Sequence, residues 1–202
     1  MTGFRRRSIS TGSSAESIDQ ERPSNRMVAA TLGVIVVAVT IGAVAWFTGG
    51  RDGASSADLA DIGVETFRLS PWVHVDGKVD YTESPPVGGD HSAMWLNCGY
   101  YANPVVEEMA VHSLEHGAAW ITYRPGLSTR ELNELKRIAR EDYTLVSPYE
   151  GLESAIVAST WGKQLPVEFA DDPALQQFLD STRRGPDTPE PGAPCTNGVG
   201  RP

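Results

Sequence analysis

The chain has four histidines, His74, His91, His112 and His116, all within one stretch of its 202 residues. Two share the motif His112-Ser-Leu-Glu-His116. Imidazole is the commonest side-chain ligand for transition metals and the usual acid or base near neutral pH. On a helix, positions i and i+4 lie on one face, so His112 and His116 can reach a single ion. Val105 and Met109 fall on that same face, which predicts that it points inward. A third ligand has to come from His91, in a Gly-rich loop, and a fourth from His74 or Asp90. Zinc takes four ligands in a tetrahedron, and a catalytic zinc keeps one position for water. Copper fits as well: Met94 and Met109 each stand three residues from a histidine, and thioethers beside imidazoles suit Cu(I). Glu115 is placed to orient a ligand.

Two other readings use the same residues. Histidines in the last turn of a helix gain from its dipole or bond its carbonyls without any metal. The domain is then a metal-free interaction module, an accessory part of a cell-envelope complex. Alternatively, His-x-x-Glu-His matches the inverted zinc-peptidase motif, with Glu115 as general base to a metal-bound water. Against the hydrolase, Gly117 stops the helix at once and a strand follows, which removes the long helical framework of such peptidases. The chain has no P-loop, no dinucleotide fingerprint, no Gly-x-Ser-x-Gly and no Cys-x-x-Cys. Trp72, Trp95, Trp120 and Trp161 are expected in the core and at its rim.

The elements that position these residues follow from local signals. Val64 to Leu69 reads as a short strand, and residues 81 to 95 as a loop broken by Pro85-Pro86 and Gly88-Gly89. Asn103 is an N-cap with Pro104 at the first helical position, and Gly117 closes that helix. Residues 118 to 123 form a strand. Ser128 caps a second helix, with Glu131 completing a capping box. Residues 143 to 146 and 155 to 160 are strands, and Asp172-Pro173 opens a last helix. The order predicts one α+β domain with helices on one face of a small mixed sheet.

Composition divides the chain. Residues 1 to 26 are polar with almost no apolar content, as a disordered cytoplasmic tail is. Residues 27 to 47, Met27 to Phe47, carry no charge and are long enough, at about 1.5 Å per residue, to cross a bilayer as one transmembrane helix. Five arginines precede it, which keeps the N-terminus cytoplasmic and exports the rest across the plasma membrane. Ala43-Val-Ala45 has the form of a signal-peptidase site but lies inside the apolar run, which favours an uncleaved anchor. Residues 48 to 57 are a Gly/Ser linker, 58 to 184 a globular extracytoplasmic domain, and 185 to 202 a Pro-rich strap. The exported part carries 12 basic and 23 acidic side chains, which argues against nucleic acid as a partner. Cys98 and Cys195 both lie on the oxidising side, where a disulfide is the simplest reading.

The phrases Ser84-Pro-Pro-Val-Gly-Gly-Asp-His91, Trp95-Leu-Asn-Cys-Gly-Tyr100, Val111-His-Ser-Leu-Glu-His-Gly117, Ala118-Ala-Trp-Ile-Thr-Tyr123 and Thr160-Trp-Gly162 run in order along the exported part. They resemble the domain of unknown function 3105 family, found largely in membrane-anchored actinobacterial proteins. The resemblance implies a membrane anchor and an extracytoplasmic domain, and brings no assigned activity. By position, His91, His112, Glu115 and His116 fall on its most recognisable motifs, and Cys98 and Cys195 on its cysteine positions. Asp90 stands where Pro is expected.

The sequence therefore points to a membrane-anchored extracytoplasmic protein binding Zn2+ or copper through His74, His91, His112 and His116. The metal-free envelope module is the first alternative and the hydrolase the second. No enzymatic activity is assigned.

Overall fold

A computed structural model describes residues 55–202. The expected tail, the apolar segment Met27 to Phe47 and most of the linker lie outside the described residues. Among those described, no helix is long and apolar enough to cross a membrane.

The elements run α1 (Ser56–Asp61), β1 (Glu65–Thr66), β2 (Gly99–Tyr100), α2 (Glu107–Glu115), β3 (Ala119–Tyr123), α3 (Thr129–Ile138), β4 (Thr144–Pro148), β5 (Ile156–Thr160), β6 (Lys163–Val167) and α4 (Pro173–Thr182). The six strands form one mixed sheet in the order β1-β6-β5-β3-β4-β2. Strand β3 pairs parallel with β4 and antiparallel with β5. The parallel pair needs a crossover, and α3 supplies it. Both edge strands are two residues long, which leaves little free edge for pairing with another chain.

Helices cover both faces of the sheet, not one. Strands β3, β4 and β5 are buried at every position. Side chains alternate across a strand, so each of these strands feeds two cores. On one side Ile121, Val146, Ile156 and Leu165 pack with Leu135 and Ile138 of α3 and Leu175, Phe178 and Leu179 of α4. Across the sheet, Trp120 and Leu145 pack with Ala110, Val111 and Leu114 of α2, and with Leu96 and Trp161. Each fully buried large apolar side chain stabilises the fold by about 1.5–3 kcal/mol relative to exposure. The α2 face is the one that carries the histidines.

Several local expectations change in the fold. Helix α2 starts at Glu107, with Val106 at the N-cap and no side-chain cap. Asn103 and Pro104 are exposed before it, whereas Val105 packs against the second core. Tertiary packing thus overrides the Asn-Pro signal. Ser128 accepts the Glu131 N–H as expected, but the Glu131 carboxylate reaches out to Ala170 N at 2.6 Å and does not close the capping box. The strand expected over residues 64 to 69 shrinks to two residues. Strand β6 lacked a clear alternating pattern, because Lys163, Gln164 and the exposed Pro166 dilute its two buried positions. The Asp172 cap, the α4 start and strand β3 stand where the sequence puts them.

Cys98 and Cys195 are disulfide-bonded with a Cα separation of 5.4 Å. Their sequence separation of 97 closes a long loop, which in the chain-entropy model destabilises the unfolded state by roughly 4–5 kcal/mol. The bridge holds the C-terminal strap, and Cys98 N donates to Cys195 O at 2.8 Å. Beyond it the tail runs beside residues 95 to 97, with Val199 N on Trp95 O at 2.9 Å.

Gly117 ends α2 with φ 99°. Its N–H donates to Leu114 O at 2.9 Å and the next N–H to Ser113 O at 3.0 Å, closing the helix in the left-handed cap geometry. A Cβ here would stand 2.9 Å from the Arg184 Cα. Gly117→Ala is expected to destabilise the domain by more than about 1 kcal/mol, read as a lowered urea midpoint at unchanged slope. An unchanged midpoint would show that the turn after His116 tolerates a side chain.

A buried histidine–carboxylate site

Helix α2 brings three of the site's side chains to one face, His112, Glu115 and His116, at 5 %, 5 % and 3 % exposure. His91 arrives from the Gly-rich loop and is fully buried. Gly88 makes that loop path possible: its φ is 146°, and a Cβ would run into the Leu69 side chain. His74 comes from an extended segment lying parallel to the loop, where it forms an isolated bridge with His91. Val75 N donates to His91 O at 2.8 Å. Asp90 fastens the same junction, its carboxylate accepting the Val73 N–H at 2.9 Å. That bond, and not a place among the converging donors, is what Asp90 does here.

Each buried imidazole is fixed through its Nδ1. His91 Nδ1 lies 2.8 Å from Gly89 O, His112 Nδ1 2.6 Å from Ser92 O, and His116 Nδ1 2.7 Å from Pro194 O. A carbonyl oxygen only accepts, so each Nδ1 carries the hydrogen and donates it. All three Nε2 atoms are thereby turned inward. His112 Nε2 meets His116 Nε2 at 2.9 Å, and His91 Nε2 meets Glu115 Oε2 at 3.0 Å. Two lone pairs at such distances repel. Each contact therefore needs a hydrogen or a cation between its atoms.

Glu115 occupies the centre. Its Oε1 accepts the Trp72 indole N–H at 2.6 Å. Its Oε2 lies 3.0 Å from His91 Nε2, 3.6 Å from His74 Nε2 and 3.9 Å from His112 Nε2. Burial by itself would raise the Glu115 pKa, but the Trp72 hydrogen bond and the neighbouring His91 outweigh it and hold the carboxyl below its ordinary value. Burial pushes the His112 imidazolium down, against the Ser92 carbonyl, and His116 and His91 add to the lowering. An ionised carboxylate and a neutral imidazole are the forms in which these groups bind a metal.

One donor atom from each of His74, His91, His112 and Glu115 falls within 4.8 Å of the others. Ligand atoms about 2.0–2.1 Å from a tetrahedral zinc lie about 3.4 Å apart. The three Glu115–nitrogen distances straddle that separation. His116 stands beside this quartet. It touches His112 and lies 3.6 Å from the Glu190 carboxylate of the strap. Met109 packs into the second core and Met94 is exposed. Among the described residues, no buried side-chain nitrogen or oxygen lacks a hydrogen-bond partner.

The structure brings His74, His91, His112 and Glu115 together, whereas the sequence reading puts His91, His112 and His116 first, with His74 or Asp90 as the fourth ligand and Glu115 as an orienting group. Helical spacing alone pairs His112 with His116. It does not show that His116 leans toward the strap, because that depends on a chain segment 78 residues away. Trp72 was expected as core or rim, yet its indole is the hydrogen-bond donor that orients Glu115. Its only signal is its place two residues before His74. Among the other tryptophans, Trp120 is core, Trp161 packs edge-on to the His91 ring at 5.9 Å, and Trp95 lies 5.0 Å from the His116 ring.

No curated protein and no solved structure matches this chain. A family model described as a protein of unknown function, DUF3105, matches residues 73–197, which is more than half of the chain and contains every residue of the site except Trp72. With its ordered motifs from His74 to Cys195 inside that match, the chain belongs to the DUF3105 family.

Proposed function

We propose that this protein is an extracytoplasmic metal-binding protein, anchored to the plasma membrane through Met27 to Phe47, that holds Zn2+ with His74, His91, His112 and Glu115. One observation carries the metal reading. Three ring nitrogens and one carboxylate oxygen converge, and the buried imidazoles are pre-turned by backbone carbonyls. Three imidazoles and a carboxylate suit a borderline cation such as Zn2+ or Cu2+. With Met109 in the core, thioether ligation of Cu(I) loses its support.

The donor count separates carrying from hydrolysis. A catalytic zinc keeps a position for water beside three protein ligands. Here four protein donors converge, and a Glu115 bound to the ion is not free to act as general base to a water. The reading is therefore storage, sensing or delivery of the metal at the cell envelope. The location rests on the uncharged 21-residue segment behind five arginines and on the oxidised cysteine pair, which fits an exported domain.

The purified full chain, with its disulfide intact, is expected to hold about one equivalent of zinc by elemental analysis. His91→Ala and His112→Ala lose it, and His116→Ala keeps it. A parent that takes up neither zinc nor copper at micromolar concentration would overturn the proposal. Hydrogens would then fill the two short contacts, and the metal-free envelope module would replace it.

Trp72 gives a second test. Removing the indole N–H frees Glu115 Oε1 and loosens the central donor. Trp72→Phe is expected to weaken zinc binding by about 10–100-fold in a competition titration while the chain stays folded. Equal affinity in parent and variant would mean that the indole bond does not position Glu115 for the ion.

A further inference from the structure

The four donors are not equivalent. His91, His112 and Glu115 are buried, and each has its second polar atom fixed by Gly89 O, Ser92 O or the Trp72 indole. The His74 side chain is 49 % exposed. Its ring lies parallel to that of His112, 7° apart in plane with centroids separated by 4.9 Å, and so leans over the site from outside. Its neighbour Val73 is 62 % exposed, which puts this segment at the mouth of the site. Among the described residues His74 Nδ1 has no hydrogen-bond partner, whereas the other three rings are anchored at that atom.

We infer that His74 is the exchangeable ligand of this site, through which the metal enters and leaves, and that its coordination position accepts an incoming neutral imidazole-type donor in its place. The inference rests on the metal reading above and deepens it from binding to handover. The physical reason is kinetic. An ion held by three pre-oriented buried donors is released only after one ligand lets go and a new donor takes the vacated position. The ligand that lets go first is the one whose ring is solvated and unanchored. Replacing a neutral nitrogen donor by another leaves the charge of the buried site unchanged, so the incoming donor adds no new buried charge.

The test uses Co2+ bound to the full chain, because its visible spectrum reports the ligand set. His74→Ala is expected to retain Co2+ with an altered spectrum and to release it to a chelator at least about tenfold faster than the parent. Added imidazole should restore the parent spectrum and slow release again. His91→Ala, with its vacancy enclosed in the core, should show no such rescue at the same imidazole concentration. An unaltered His74→Ala spectrum would overturn the inference, as would rescue of His91→Ala with none of His74→Ala. Both results leave a metal held by the buried donors, and the first removes His74 from the ligand set. Failure of the parent to bind Co2+ or zinc at all would overturn the metal reading and this inference with it.

Discussion

Three hydrogen bonds from imidazole Nδ1 atoms to backbone carbonyls set the chemistry of this protein. The carbonyl oxygens of Gly89, Ser92 and Pro194 only accept, so His91, His112 and His116 must donate from one ring nitrogen and present the other. Carbonyls cannot change role as a hydroxyl or a water can. The orientation of each ring is thus as firm as the backbone that carries its partner. The consequence is that His91 and His112 turn Nε2 toward one ionised carboxylate, an arrangement that calls for a hydrogen or a cation between them.

The rest of the fold holds those carbonyls in place. Gly89 and Ser92 flank His91 in a loop whose path depends on Gly88 and on the Asp90 bond to Val73. Glu108 of α2 strengthens the same region by accepting the Val79 N–H at 2.9 Å. Pro194 is next to Cys195, so the disulfide that shortens the unfolded chain also fixes the carbonyl under His116. Helix α2 lies on the sheet through Ala110, Val111 and Leu114, and this packing presents His112 and Glu115 to the loop. Stability and site geometry therefore share the same contacts, and a loosened strap or loop would disturb both.

Much of this was legible in the sequence, and what was not has a physical reason. The α+β class, the histidine helix ending at Gly117, strand β3 and the Asp172 start all rest on short-range signals, and these hold. The misses occur where distant residues decide. Asn103-Pro104 is a good local start for a helix, yet packing of Val105 delays it to Glu107. Burial of both sheet faces was hidden because β3 to β5 carry Thr and Ser at buried positions, where they break an apolar run without marking exposure. In the site, i,i+4 spacing correctly put His112 and His116 on one face. The meeting of His74 and His91, and the Trp72 bond to Glu115, depend on loop paths that no periodicity encodes. The family match locates the domain and assigns it no activity, so the functional reading stands on the donor geometry.

The central claim is that a cation belongs between Glu115 and the histidine nitrogens. Anomalous diffraction at the zinc absorption edge, on crystals of the zinc-loaded protein, tests it directly. The account predicts one peak about 2.0–2.1 Å from the ring nitrogens of His74, His91 and His112 and from an oxygen of Glu115. It also predicts His116 outside that shell, still bonded through Nδ1 to Pro194 O. A peak centred between His116 and Glu190, or no peak within reach of Glu115, would contradict it.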